Sequence, residues 1–276
     1  MIQIESVSKH FGGLKAVDGA SLEIKLGTIT GLIGPNGAGK TTLFNIIAGV
    51  HAPSGGRVRL DGEDITGLAP HQLFAKGLLR TFQIAHEFAR LTVRENFMMV
   101  PASQAGEHLP SAWARRRLIG RQEAKIRRRA EEVMAFLKLS HVADELAGNL
   151  SGGQKKLLEL GRTMMTDAKM VLLDEVGAGV NRTLLRDIGD AILRLNRERG
   201  YTFCMIEHDM DFISRLCDPV IVMAEGAVLT EGSAAEVKAN EQVIEAYLGR
   251  GLKRPTAKSE VRPGTESNTQ SVDESA

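Results

Sequence analysis

The residues Gly34, Pro35, Asn36, Gly37, Ala38, Gly39, Lys40 and Thr41 satisfy G-x-x-x-x-G-K-[ST] at every fixed position, and Thr42 follows them. Glycines let a loop wrap phosphates with its backbone N–H groups, and a helix starting after the loop adds the partial positive charge of its N-terminus. At this spacing Lys40 reaches the β- and γ-phosphates of a nucleotide, and the Thr41 hydroxyl can ligate Mg²⁺. A second candidate is the acidic pair in Val171-Leu-Leu-Asp-Glu175. After a buried strand such a pair lies where ligands of open α/β sheets gather. Asp174 would hold Mg²⁺ directly or through water, and Glu175 could take a proton from a water attacking the γ-phosphate. A third is Leu150-Ser-Gly-Gly-Gln154. Ser151, Gly152 and Gly153 before a helix offer a hydroxyl and backbone donors, which makes a second anion site in one chain. One nucleotide cannot be wrapped by both sites of a single compact subunit if they lie on different faces.

The elements needed to position these groups are visible around them. Thr28–Ile33 is an apolar run ending at Gly34, and Thr41–Ala48 reads as a helix, so strand, loop and helix follow in the order that the phosphate loop requires. Apolar runs at Met170–Leu173, Tyr201–Ile206 and Pro219–Ala224 suit a parallel sheet covered on both faces. Between them, Leu184, Leu185, Ile188, Ile192 and Leu195 recur at helical spacing, which predicts a crossover helix over Thr183–Arg197. Short segments at Ile2–Val7, Ser21–Ile24 and Arg57–Leu60, separated by Gly-rich turns, predict an antiparallel β portion. From about Ala85 to Asn149 the strand pattern stops, and Arg121–Leu139 is strongly helical.

The expected fold class is therefore α/β: a mainly parallel sheet with an antiparallel β portion and an inserted α-helical subdomain. Residues 1–84 and 150–251 form the core, 85–149 the helical unit, and 252–276 a polar tail, expected to be disordered, that is rich in Pro, Ser, Thr and Glu. The Arg115–Arg117 and Arg127–Arg129 clusters read first as solvated helix faces.

Composition narrows the class. With 276 residues and 43% hydrophobic content the chain can bury a full core. No stretch approaches the run of ~18 apolar residues that crosses a bilayer, and the start MIQIESVSKHFGG lacks a charged region followed by an apolar one. Work at a membrane is thus expected to go through a partner. Thirty-five Lys+Arg against 34 Asp+Glu gives a net charge of +1, so nothing points to nucleic acid. Cys204 and Cys217 have neither Cys-x-x-Cys spacing nor His neighbours, which leaves no zinc site and suits a reducing compartment.

Placed shortly before Asp174, Leu150–Gln154 resembles the signature of the ABC ATPases, in which it closes on the nucleotide held by the opposite subunit. The resemblance covers roughly residues 1–250 and implies ATP and Mg²⁺ as ligands. It carries over further roles residue by residue: Phe11 stacking on adenine, Gln83 meeting Mg²⁺ or the attacking water, His208 touching the γ-phosphate, and Gly179-Val-Asn181 contacting the partner subunit. Ser151, Gly152, Gly153 and Gln154 would complete the partner's nucleotide site. The chain departs from the family at Val176, usually Pro, at Asn181, usually Asp, and at Lys155-Lys156, where an Arg is commoner.

Phe11-Gly-Gly-Leu14 with Ala16-Val17, Arg80-Thr-Phe-Gln83, Thr92-Val-Arg-Glu-Asn96 and Ile244-Glu-Ala-Tyr-Leu-Gly249 are similar to the branched-chain amino acid importer ATPases. The insertion around Val100–Arg121 resembles that of the longer of their two ATPase subunits. The resemblance implies a subunit on the cytoplasmic face of the membrane, bound to two transmembrane permease subunits and a second, different ATPase or another copy of itself. An extracytoplasmic solute-binding protein would take part indirectly. The alternative within the family is a soluble ATPase acting on ribosomes or DNA, whose relatives usually carry tandem cassettes or long coiled coils. This chain has one phosphate loop and no extended heptads. A phosphotransferase of another P-loop class would leave Leu150–Gln154 and His208 unused.

Overall fold

The computed structural model describes residues 1–81, 87–102, 104 and 116–248. Strands β1 (Ile2–Phe11) and β2 (Leu14–Ile24) form an antiparallel hairpin. β1 also pairs antiparallel with β4 (Gly55–Leu60), which pairs with β5 (Glu63–Asp64), giving the order β2-β1-β4-β5. This sheet buries Ile2, Ile4 and Val7 of β1 with Val58 and Leu60 of β4, the one-sided covering expected of an antiparallel sheet.

The second sheet contains β3 (Ile29–Ile33), β6 (Leu78–Arg80), β7 (Met170–Asp174), β8 (Thr202–Ile206), β9 (Val220–Ala224) and β10 (Ala227–Gly232), in the order β10-β9-β3-β8-β7-β6. It is parallel from β9 to β6, with β10 antiparallel at the edge. Every residue of β3, β7, β8 and β9 is buried, so these strands read in sequence as unbroken apolar runs.

The two-residue period of a strand divides those side chains between two cores. Leu32, Leu172, Cys204 and Ile206 face the antiparallel sheet and helix α1 (Lys40–Ile47), where they meet Phe44, Ile47 and Val58. Ile33, Val171, Leu173, Phe203 and Met205 face the other way, into a core shared with Phe97 of α3 (Val93–Met98), Met134 of α4 (Arg116–Phe136), Leu158 of α5 (Gly152–Met164) and Ile188 of α6 (Arg182–Arg199). The remaining helices are α2 (Pro70–Ala75), which precedes β6, α7 (Met210–Leu216), α8 (Ala234–Ala239) and α9 (Glu241–Tyr247). Both cysteines are buried, and burial pushes the Cys217 thiol up to about 12, in keeping with a packing role.

The expected strands appear, several of them longer than read. The helix expected at Arg121–Leu139 runs instead over Arg116–Phe136: Lys138, with φ +58°, terminates it, and the Leu139 N–H turns back to the Met134 carbonyl at 2.7 Å. Strands β5, β6 and β10 have no counterpart in the sequence pattern. The first two are very short, and β10 is a half-buried edge without an apolar run. Gln83, the tail 252–276 and most of the insertion before Arg116 lie outside the described residues. Among the described residues no helix is long and apolar enough to cross a membrane.

Helix α3 is fixed at its start by a reciprocal cap. The Thr92 hydroxyl accepts from the Glu95 N–H at 3.2 Å, and the Glu95 carboxylate accepts from the Thr92 N–H at 2.8 Å. Its Phe97 ring is fully buried and lies so close to α5 that a Cβ on Gly161 would fall 2.6 Å from the ring. Phe97→Ala is expected to cost about 3–5 kcal/mol of stability, read as a shifted denaturation midpoint. A loss below about 1 kcal/mol would mean that α3 does not share this core.

Candidate functional site

Parallel pairing of β3 with β8 and of β8 with β7 sets the C-terminal ends of the three strands side by side. The chain leaves β3 into Gly34–Gly39, β7 into Glu175 and β8 into Glu207-His208, so three segments far apart in sequence converge on one edge. They meet in a cleft of about 320 Å³ lined by Leu14, Lys15, Ala16, Asn36–Thr42, Glu175 and His208.

The loop needs glycine at position 39 for two reasons. Its φ is +94°, and an added Cβ would fall 2.4 Å from the Ala16 carbonyl oxygen. Gly39 is also the N-cap of α1 and brings no side-chain acceptor to that helix start. Thr92, Ser151, Asn181, Asp209, Ser233 and Asn240, by contrast, each cap their own helices. The first N–H groups of α1 are thereby left facing the cleft for an anion.

Lys40 is only 6% exposed, and its ammonium donates to the carbonyl oxygens of Gly34 at 2.8 Å and Pro35 at 3.0 Å. Burial lowers its pKa, while Glu175 and Asp174 act in the opposite direction and favour the cation.

Glu175 has φ +49°, a conformation that costs a non-glycine residue of order 1–3 kcal/mol and is held only where its surroundings fix it. Here its N–H donates to the Ile206 carbonyl at 2.9 Å, and its Oε1 lies 2.9 Å from His208 Nε2. Asp174 is buried, and its Oδ2 accepts from Arg80 Nη2 at 2.7 Å. The same guanidinium hydrogen-bonds the Asn45 side chain of α1. Arg80 thus ties the end of β6 to the acidic strand and to the phosphate-loop helix.

The sequence-predicted residues divide into two groups. Gly34–Thr42, Asp174, Glu175 and His208 gather at one strand edge, whereas Ser151, Gly152, Gly153 and Gln154 do not line that cleft. Ser151 and Gln154 cap α5 reciprocally, the Gln154 N–H donating to the Ser151 hydroxyl at 3.4 Å and the Ser151 N–H to Gln154 Oε1 at 3.0 Å. Gly153 packs so tightly on α6 that a Cβ would fall 1.8 Å from Leu184 Cδ2.

Phe11 is exposed and likewise does not line the cleft. Its ring meets His51 edge-on at 5.5 Å, with the Lys9 ammonium 5.2 Å away.

The departures noted in sequence have local explanations. Val176 is buried in the core. Asn181 accepts from the Leu184 N–H at 2.9 Å, a capping bond that Asp would make equally well. Lys155 pairs with Glu87 at 2.7 Å, and Lys156 is buried near Glu159.

Sequence reading missed the roles of Arg80, Asn45 and Glu207. The only available signal was position, since Arg80 and Glu207 each stand inside a short stretch already singled out for Gln83 and His208. A second, larger cleft of about 630 Å³, mostly apolar, is lined by Ala48, Val50, Phe74, Leu78, Phe88 and Arg162 among others, and Arg80 reaches it too.

The fold and this loop define a P-loop nucleotide-binding protein. The family model for ABC transporter matches residues 17–178, and that for branched-chain amino acid ATP-binding cassette transporter matches residues 227–253. The chain is 39% identical over 249 residues to a probable branched-chain amino acid transport ATP-binding protein of Archaeoglobus fulgidus, covering 90% of this chain and 95% of the relative. It is 35% identical to a high-affinity branched-chain amino acid transport ATP-binding protein of Pseudomonas aeruginosa, covering 90% and 98%. Among solved structures, a nucleotide-free ATP-binding cassette from an ABC transporter superimposes with TM-score 0.77 at 38% identity, covering 90% of this chain and 98% of that one. The ADP conformation of such a cassette gives the same TM-score, identity and coverage. The chain belongs to the ABC transporter family of ATP-binding subunits. It is a nucleotide-binding ATPase.

Asn181 offers a direct check on the loop after Glu175. Asn181→Asp should leave stability nearly unchanged, and Asn181→Ala should lose about 1 kcal/mol, both measured by chemical denaturation. Equal losses in the two variants would contradict the capping role.

Proposed function

We propose that this chain hydrolyses ATP to energise import of branched-chain amino acids, or of a related small amide or acid, through separate membrane subunits. The observation that carries this reading is the meeting of Lys40 with the Glu175–His208 pair in one cleft. The names of the relatives support the cargo.

In this reading Gly34–Thr42 wrap the phosphates, and the Lys40 ammonium exchanges its two loop carbonyls for β- and γ-phosphate oxygens. Glu175 takes the proton from the attacking water, and His208 orients that carboxylate and reaches the γ-phosphate. Thr41, Asp174 and Gln83 supply only oxygen donors, a set that suits a hard cation. They would hold Mg²⁺, whose charge offsets that of the β- and γ-phosphates. Phe11, exposed outside the cleft lining, would stack on the adenine.

Ser151–Gln154 stand away from the Lys40 cleft, which favours their closing on ATP held by a second ATPase subunit, either a different chain or another copy. The larger apolar cleft around Phe74, Phe88 and Arg162 suits a segment of one of two membrane permease subunits, the other docking on the second ATPase. Residues 85–149 would then be the helical unit that moves with the permease against the core of 1–84 and 150–251. An extracytoplasmic binding protein delivers the solute. The subunit works on the cytoplasmic face of the membrane, and nucleic acid takes no part.

The test is uptake of labelled leucine, urea and aromatic acids by cells lacking the chain, restored with it or with its Glu175→Gln form. Leucine uptake should return only with the unaltered protein. The purified variant should keep ATP binding while hydrolysis falls by about 10²–10⁴-fold. Unchanged import of every solute in the deleted cells would overturn the importer reading, and wild-type turnover by Glu175→Gln would overturn the role of Glu175.

A further inference from the structure

Glu207, between β8 and His208, is a carboxylate that the mechanism above does not use. It is only 5% exposed. Its two oxygens serve different segments: Oε1 accepts from the Gly177 N–H at 2.7 Å, and Oε2 from the His208 N–H at 3.3 Å. Burial pushes its carboxyl above the ordinary range and Glu175 adds to the rise, while the two N–H donors and His208 oppose it. A site that needed only packing would be filled more cheaply by an apolar residue, because an acid at this depth carries a desolvation cost.

What the carboxylate holds is the turn that carries Glu175. That turn consists of two successive i→i+3 bonds, from the Ala178 N–H to the Glu175 carbonyl at 3.1 Å and from the Val180 N–H to the Gly177 carbonyl at 3.1 Å. It starts at the positive-φ Glu175 and ends at Asn181, the N-cap of α6. Gly177 belongs to both turns, third in one and first in the other, so a bond to its N–H bears on both. The contact is close enough that a Cβ on Gly177 would fall 3.3 Å from Glu207 Oε1. The strained Glu175 is itself tied to the end of β8 by its own N–H and to the ring of His208, and the Glu207 carboxylate adds a hold on the turn that follows it.

We propose that Glu207 is a positioning residue for ATP hydrolysis, fixing the Glu175 turn and the His208 backbone at a set spacing through one shared carboxylate. This inference rests on the roles given to Glu175 and His208 above. It also links the Gly179–Asn181 stretch, on the same turn, to His208, so that movement of either is felt by the other.

The experiment uses the full-length chain and compares wild type, Glu207→Ala, Glu207→Gln, Glu175→Gln and the Glu175→Gln/Glu207→Ala double variant. It reads kcat, KM, the affinity for a fluorescent ATP analogue, and the melting temperature. Glu207→Ala should lower kcat by about 10- to 100-fold, the effect of a misplaced reacting group, with analogue affinity within about threefold of wild type. Glu207→Gln, which keeps one acceptor for the Gly177 N–H, should recover part of the loss, and it carries the test alone if the alanine form does not fold. In the double variant Glu207→Ala should cost nothing beyond Glu175→Gln. A kcat within about twofold of wild type in folded Glu207→Ala and Glu207→Gln would overturn the proposal. So would a loss appearing as weakened analogue binding, or a full multiplication of the two losses in the double variant. Undiminished hydrolysis by Glu175→Gln would instead refute the underlying assignment.

Discussion

A buried cation at the end of a parallel sheet is the constraint on which the site depends. Lys40 stands at the start of α1, where the helix dipole itself disfavours positive charge, and it is nearly sealed from water. Burial costs an ammonium its hydration, so every nearby group has to compensate. The carbonyls of Gly34 and Pro35 accept two hydrogen bonds from it, and Glu175 and Asp174 supply opposing charge. Gly39 supports that loop with a positive φ that side chains rarely adopt and at a spot where Ala16 leaves no room for a Cβ. Phosphate oxygens would satisfy the same donors better than carbonyls do, and this is the physical basis for nucleotide affinity.

The rest of the fold serves to bring acids to that cation. In the order β9-β3-β8-β7, β8 lies between the phosphate-loop strand and the acidic strand, so Glu207 and His208, which follow it, fall within reach of Glu175. Arg80 adds a second tie, from β6 to Asp174 and to Asn45 of α1. Arg80 also lines the larger cleft, so one guanidinium borders that cleft while pairing with the acid at the end of β7.

Much of this was legible in the sequence because its parts are local. Gly34–Thr41 is one contiguous segment, loop then first turn of α1, and its glycines report the loop's conformation directly. The central strands were readable because both of their faces are covered, which turns each into an apolar run. What escaped depends on contacts between distant segments. Arg80 and Asp174 are separated by 94 positions, and nothing in either neighbourhood announces the pair. Glu207 carries no sign of burial in its own sequence, and the edge strand β10 has no apolar pattern to reveal it. The end of α4 was misplaced because the apolar spacing continues to Leu139, whereas the backbone turns at Lys138. The capping use of Ser151 and Gln154 was half visible: the helix start was expected, but the reciprocal bonds within it were not.

Lys40, as the principal contact to phosphate, is the group on which nucleotide binding here depends most. Titration calorimetry of ATP into the full-length protein and into its Lys40→Ala form, with folding verified by circular dichroism, measures this without requiring turnover or any partner. Loss of one charge-assisted contact predicts ATP binding weaker by about tenfold or more in a folded variant. Equal affinity in the two proteins would contradict the placement of the phosphates at Gly34–Thr41.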